Sequence, residues 1–284
     1  MKFGLYGINT GPCSEPDVAA RVARAAESAG FDSVWTAEHV VLPDPQAPPS
    51  PAPPHMKLLD PAVSLAFLAA HTQKLLLATG IIILPQRNPV VLAKELASVD
   101  RVSKGRLVFG LGAGYLKPEF QALGAPFADR GRRTDEYIEA IVALWTQDRP
   151  EYKGEYVAFS GIQTHPHPVQ KPHPPIVVGG MSPSALRRAA HYANGWYGFA
   201  LDLDATQRAI EGLRAAEQRF DRTATLGRLE ITVTPAGALD ADTARRYEAL
   251  GVDRLVLLNP GRNADDQVAF VEKAGLELVA PLGA

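Results

Sequence analysis

One cysteine, Cys13, is all that the 284 residues contain, so the chain can build neither an internal disulfide nor a multi-thiolate zinc site. A reducing compartment suits such a sequence, which reads as cytosolic. Neither sign of charge is in excess. With 29 basic and 31 acidic side chains the net charge is -2, and no global positive field exists to draw a nucleic acid backbone. Long apolar runs are missing as well. The most apolar stretch, Leu75 to Leu84, has about half the length a bilayer-spanning helix needs. The opening MKFGLYGINTGP lacks a signal-peptide apolar region and a cleavage motif. The expected partner is therefore a small molecule, with no part for nucleic acid or membrane. No P-loop, nucleophile elbow or H-E-x-x-H is present.

What is present is a rhythm. Short apolar runs of strand length alternate with segments whose apolar residues recur every three or four positions. The strand segments are Lys2 to Gly7, Ser33 to Thr36, Leu75 to Ile83, Arg106 to Gly110, Pro175 to Val178, Gly195 to Phe199, Leu229 to Val233 and Arg254 to Leu258. The helical ones are Glu15 to Ala29, Pro61 to His71, Pro89 to Ser103, Asp129 to Gln147, Pro183 to Ala193, Ala205 to Phe220, Ala241 to Leu250 and Ala264 to Ala274. Strands of near-continuous Leu, Ile and Val must be covered on both faces, as in a parallel sheet. Eight βα units over one domain, residues 1 to 284, point to an α/β protein of the (β/α)8 TIM-barrel class rather than an open doubly wound sheet. Ser14 is placed to cap the first helix, and Gly30, Gly195 and Gly251 to turn helices into strands. Two insertions interrupt the pattern. One is the proline-rich loop 43 to 54 after the second strand, placed to lie over the barrel mouth. The other is Glu151 to Pro174 before the fifth strand, where YKGEYVAF reads as a hairpin.

Reacting groups in a barrel lie at the C-terminal ends of the strands. That rule selects Asn9 and Thr10; Glu38 and His39; Thr79, Gly80, Gln86 and Asn88; Gly112, Ala113, Gly114 and Tyr115; and Gly179, Gly180, Met181 and Ser182. Gly179-Gly180-Met181-Ser182-Pro183 leads from a strand into a helix with Ser182 at the N-cap, a pattern that suits either a phosphate on free amides or a plain tight turn. Gly110-Leu111-Gly112-Ala113-Gly114 puts its third glycine one position too early for a dinucleotide fingerprint, which leaves a bend or a close ligand approach. His39 could exchange protons near neutral pH or be a hydrogen-bonded structural histidine. His165, His167 and His173 are spaced by prolines without thiolate or carboxylate partners, so no metal is expected there. Arg130, Arg132 and Arg133 read as a solvated first helical turn, with one of them open to an anionic ligand tail.

Three stretches, AAESAGFDSVWTAEH, LLLATGIIILPQRNPVVLAKELASVDRVSKGRLVFGLGAGYLKPEF and HPHPVQKPHPPIVVGGMSPSALRRAAHYANGWY, resemble the luciferase-like family of flavin and deazaflavin oxidoreductases over most of the chain. The EH after strand two, the RNP after strand three and the GGMSP element look most similar to members that use coenzyme F420. The resemblance implies several things. Thr79, Gly80 and Ile81 would form a bulge behind the deazaflavin ring, with a non-prolyl cis peptide at Gly80-Ile81; Glu38 and His39 would lie near the ring, as catalytic residues. Gly112, Ala113, Gly114, Gly179, Gly180, Met181 and Ser182 would contact the cofactor, with Gly179, Gly180 and Met181 holding its phosphate, and His39 would contact it as well. The activity implied is hydride transfer between F420 and an organic substrate, in a homodimer. FMN-dependent monooxygenation and non-catalytic deazaflavin binding are the rival readings. Tyr115 stands where the family's sugar-phosphate dehydrogenases have Glu, which argues against a sugar-phosphate substrate.

Overall fold

The structure is a computed structural model that describes residues 1 to 220, 222 and 226 to 283. Its barrel strands are β1 (Lys2–Tyr6), β2 (Ser33–Trp35), β3 (Leu76–Ala78), β4 (Leu107–Gly112), β5 (Ile176–Gly179), β6 (Gly195–Leu201), β7 (Glu230–Pro235) and β8 (Arg254–Leu258). All pair in parallel, each with its sequence neighbour. Closure comes from β1, which pairs with both β2 (Leu5 opposite Val34) and β8 (Leu5 opposite Leu257). The result is the closed eight-stranded (β/α)8 barrel that the alternation predicts. Around it run α1 (Pro16–Ser28), α2 (Pro61–Ala69), α3 (Pro89–Val102), α4 (Lys117–Ala122), α5 (Arg130–Thr146), α6 (Pro183–Tyr192), α7 (Leu203–Arg219), α8 (Ala241–Leu250) and α9 (Ala264–Ala274).

Alternation of side chains along the strands sorts the core into two layers. Phe3, Leu5, Val34, Leu77, Phe109, Leu111, Val178 and Leu255 join the helices in an outer cluster. Trp35, Ala78, Val108, Val177, Tyr197 and Val256 fill the lumen. Trp35 is fully buried there, and truncation of such a side chain to Ala costs about 3–5 kcal/mol. The lumen is thus packed, and chemistry is confined to its rim.

The lower end of the barrel is sealed by charge. Arg254, at the start of β8, donates to Asp32 (2.7 Å) and to Glu230, and its guanidinium lies 5.8 Å from the Trp35 ring centroid. Lys2 adds a 2.6 Å contact to Glu230. Burial alone would raise the Glu230 carboxyl, but Arg254 and Lys2 outweigh it and hold the pKa below the usual carboxylate range.

Several boundaries differ from the sequence reading. The third strand is not continuous: β3 ends at Ala78, Gly80-Ile81 is a cis peptide where the resemblance placed it, and pairing with β4 resumes only at Ile82–Ile83. Ser14 does not cap α1. Its hydroxyl donates to Gly11 O at 2.7 Å inside a 3₁₀ turn, and Glu15 takes the N-cap position without a side-chain bond. Gly30 and Gly251 adopt the positive φ expected of them, whereas Gly195 does not, because α6 unwinds through an extended Ala193. The hairpin of the second insertion is observed, Tyr152–Lys153 pairing antiparallel with Ala158–Phe159. Short α4 is absent from the sequence reading, since six residues carry too little periodicity to register. Among the described residues no helix is long and apolar enough to cross a membrane.

Candidate active site

The C-terminal rim brings the residues after β1 to β6 together, and their contacts divide them into holders and exposed groups. Asn9 is a holder. Fully buried, it donates to Ala37 O (2.9 Å) and Leu59 O (2.6 Å) and accepts from Ala37 N (2.8 Å), so its amide is consumed in tying β2 to the segment before α2. Thr79 is another. Its hydroxyl bridges Gly110, donating to the carbonyl at 2.7 Å and accepting from the N–H at 2.8 Å. It stands in for the sheet pairing that the bulge after β3 interrupts.

Glu38 does not reach the mouth as a free carboxylate. It is buried and accepts hydrogen bonds from Ile83 N–H and from Arg87, whose Nε lies 2.9 Å from Oε1. Arg87 also donates to Asp60 (2.8 Å), the N-cap of α2. Burial raises the Glu38 pKa against the pull of Arg87 and the Ile83 amide, while Glu38 and Asp60 hold the Arg87 guanidinium above its ordinary value. The node fastens the exits of β2 and β3 to the start of α2.

His39, one residue on, is placed differently. Its side chain is about 10% exposed, and Nδ1 lies 3.1 Å from Oε2 of Glu119. The other Glu119 oxygen accepts from Val40 N–H at 2.6 Å. Glu119 is fully buried on α4. Burial works to raise its pKa, but His39, the Gln86 side chain and the Val40 N–H together win and hold it below the usual range. Nothing in the sequence singled Glu119 out: its partner lies 80 residues away, and the only local signal was an acid among apolar neighbours in GYLKPEF. Tyr115 presents its ring edge-on to His39, with centroids 6.1 Å apart, and is half exposed. Burial, then Glu119, pushes the Tyr115 hydroxyl up, so it is a neutral donor at physiological pH. Gln86 buries both amide atoms beside Glu119 and helps to favour its charged form.

The glycines after β4 and β5 have a reason that the sequence did not reveal. A Cβ on Gly112 would stand 2.8 Å, and one on Gly179 2.3 Å, from Cδ1 of Ile81. Ile81 therefore occupies the space both glycines vacate. A Cβ on Gly114 would meet Ile83 Cγ2 at 2.5 Å and Phe120 at 2.8 Å, so this glycine lets α4 lie against the rim. Beyond them Gly180 (φ +114°), Met181 and Ser182 are exposed, with Ala113 partly so. Ser182 Oγ accepts from Ala185 N–H at 3.2 Å, as an N-cap should. Among the described residues the amides of Met181 and Ser182 have no protein acceptor. Exposed amides at a helix start suit an anion. Arg130 is pinned rather than solvated, donating to Gly114 O (3.0 Å) and stacking 4.0 Å over Phe127. Arg132 pairs with Glu155 and Arg133 with Asp129. On the same rim Tyr6 packs its ring 4.9 Å from that of half-exposed Phe199.

Residues 4–274 match the luciferase-like monooxygenase family. The chain belongs to that family. Luciferase-like relatives include an uncharacterized protein of Mycobacterium tuberculosis, 34% identical across 98% of this chain and 99% of that one. The FMNH(2)-dependent dimethylsulfone monooxygenase of Pseudomonas putida is 33% identical over 54% of this chain and 42% of its own. Among solved structures, an F420-dependent secondary alcohol dehydrogenase superposes with a TM-score of 0.80 at 16% identity, covering 98% of both chains. The coenzyme F420 dependent tetrahydromethanopterin reductase of Methanopyrus kandleri gives 0.78 at 17%, covering 99% of both. At such identities the likeness is one of fold. Luciferase-like oxidoreductases and monooxygenases are the class in which this chain falls, and a flavin or deazaflavin is the cofactor type that class employs.

Proposed function

We propose that this protein is an F420-dependent oxidoreductase that moves a hydride between the deazaflavin and a small organic substrate. The observation that carries the reading is His39, held by a buried carboxylate at the rim with Nε2 free of any partner among the described residues. Motifs Glu38-His39, Arg87-Asn88-Pro89 and Gly179 to Pro183, which resemble those of F420 users, support the choice of cofactor. When bound, the deazaflavin supplies the two-electron chemistry; the protein supplies orientation, exclusion of water and proton handling.

In this reading Met181 and Ser182 hold the cofactor phosphate on exposed amides, and Gly180, whose own N–H donates to Tyr197 O, makes the turn that presents them. Gly112 and Gly179 act indirectly, by admitting Ile81, and the Thr79 to Ile81 bulge with Ala113 and Gly114 shapes the surface under the ring. His39 takes or returns a proton at the substrate atom next to the reacting carbon, and the neutral Tyr115 hydroxyl is a second donor. Glu38 works through Arg87 and Ile83 rather than on substrate. The reading includes a homodimer, supported by exposed Val63 on α2 and Val91 on α3, which sedimentation tests.

A second reading, FMN-dependent monooxygenation, is favoured by the identity to the Pseudomonas putida enzyme. Parallel fluorescence titration of the apoprotein with F420 and FMN separates the two. Tighter F420 binding with no oxygen uptake supports the proposal, and preferential FMN binding with oxygen consumption refutes it. His39→Ala should then lower the hydride-transfer rate by about 10²–10⁴-fold, the worth of positioned proton transfer, while cofactor Kd stays within a few-fold.

A further inference from the structure

We propose that Glu119 is a positioning residue that fixes His39 in the tautomer with its proton on Nδ1 and so presents an unprotonated Nε2 to substrate. The inference rests on the reading of His39 above and assigns the group through which that residue is controlled. Its warrant is geometric. A histidine ring nitrogen is protonated or bare according to what the other nitrogen bonds. Nδ1 faces Oε2 of Glu119 at 3.1 Å, and an ionised carboxylate only accepts, so Nδ1 must be the donor. Ionisation of Glu119 is favoured because it accepts from His39 and from Val40 N–H (2.6 Å), which offsets the penalty of its full burial. Nε2 has no hydrogen-bond partner among the described residues and is not sealed off from solvent.

The grip has two points. One carboxylate oxygen takes the ring of His39 and the other the backbone of the next residue, so the ring's height and rotation over the rim are set together. Glu119 itself cannot swing away. Its neighbours Leu116 and Phe120 are buried, Phe120 packs edge-on against Phe127 at 5.2 Å, and bare Gly114 lets α4 sit flush with the rim. The arrangement has the logic of a base oriented by a third group, with the orienting acid four residues beyond the half-exposed Tyr115.

The test begins on the apoprotein, with 15N-labelled histidine side chains read by long-range 1H–15N correlation and His39 assigned from a His39→Asn spectrum. The wild type should show a protonated, pyrrole-type Nδ1 and a bare Nε2 for neutral His39. Glu119→Gln keeps the shape of the side chain but cannot accept from both Nδ1 and Val40 N–H, and should redistribute the ring toward the Nε2–H form. With substrate turning over, Glu119→Gln should lower kcat by about tenfold or more, part of the full worth of His39, with cofactor Kd unchanged. Glu119→Asp, which keeps the charge, should recover part of that loss. An Nε2–H tautomer in the wild type overturns the proposal, as does an unaltered tautomer or an unaltered kcat in Glu119→Gln. Should Glu119→Gln fail to fold, the wild-type spectrum and Glu119→Asp still decide. If no F420 turnover occurs at all, the functional reading falls while the spectra judge the tautomer on their own.

Discussion

Ser182→Asp is the substitution that separates anion binding at the start of α6 from mere turn formation. Gly180→Val is a poorer probe, because φ +114° strains any side chain there whatever the ligand does. Aspartate, in contrast, caps about as well as serine, and a negative charge in the first turn of a helix is favourable by about 0.3–1 kcal/mol. Folding should be unharmed. A phosphate on the adjoining amides would stand about 5 Å from the new carboxylate, where two unit charges repel by about 3 kcal/mol at an effective dielectric of about 20 and by about 1 kcal/mol in bulk water. Position 182 is exposed, so the true value lies between these limits. The cofactor Kd should therefore rise between roughly fourfold and a few hundredfold, at 1.4 kcal/mol per decade. Fluorescence titration at low ionic strength measures it, and salt should shrink the effect as the screening length falls to about 10 Å near 0.1 M. An unchanged Kd in a variant whose Tm equals the wild type would refute the phosphate assignment, as would a loss indifferent to salt.

Gly179→Ala drives a methyl into Ile81 Cδ1 and should destabilise by about 1–3 kcal/mol in urea unfolding, whereas Ile81→Val removes the obstructing atom at about 0.5–1.5 kcal/mol. The double variant should be more stable than the sum by 1 kcal/mol or so, and strict additivity would contradict the contact. Arg254→Met strands Asp32 and Glu230 at the barrel floor; because both acids keep some water contact, the loss should be about 2–3 kcal/mol, under the 3–5 typical of a fully buried pair. A Tm within a degree of wild type would dispose of that account. Glu230, held below the ordinary carboxylate pKa, contributes stability that is complete above the unfolded value of about 4.3 and is lost as pH falls through the lower folded value. Urea melts of Glu230→Gln should accordingly lie below wild type at pH 7 and draw closer to it as pH falls below about 4; a gap that stays constant would show that the charge is not what matters.

Barrel topology could be read from the sequence because each βα unit advertises itself locally, by apolar strand runs and by caps such as Ser182, whose acceptor and donor are three residues apart. The rule that reacting groups follow the strands put His39 on the rim, and family resemblance located the irregular peptide at Gly80-Ile81. What stayed hidden depends on partners distant in sequence. Glu119 meets His39 across 80 residues, and Glu38 meets Arg87 across 49. A carboxylate beside a histidine reads as chemistry until the arginine that neutralises it is in view. Gly112 and Gly179 look like places for a ligand to approach, because a missing side chain has the same signature whether the vacancy is filled by a phosphate or by the isoleucine of the bulge after β3.

The proline-rich stretch is slung between two fixed posts. At one end Val40 N–H is held by Glu119; at the other Lys57 O accepts from Gly11, Leu59 exchanges hydrogen bonds with Asn9, and Asp60 is pinned by Arg87. Neither post draws on a side chain between positions 41 and 56. Apart from buried Ala52, the side chains of that span can therefore be exchanged without touching the bonds that hold His39 and the exits of β2 and β3: the loop is free to vary where its two ends are not.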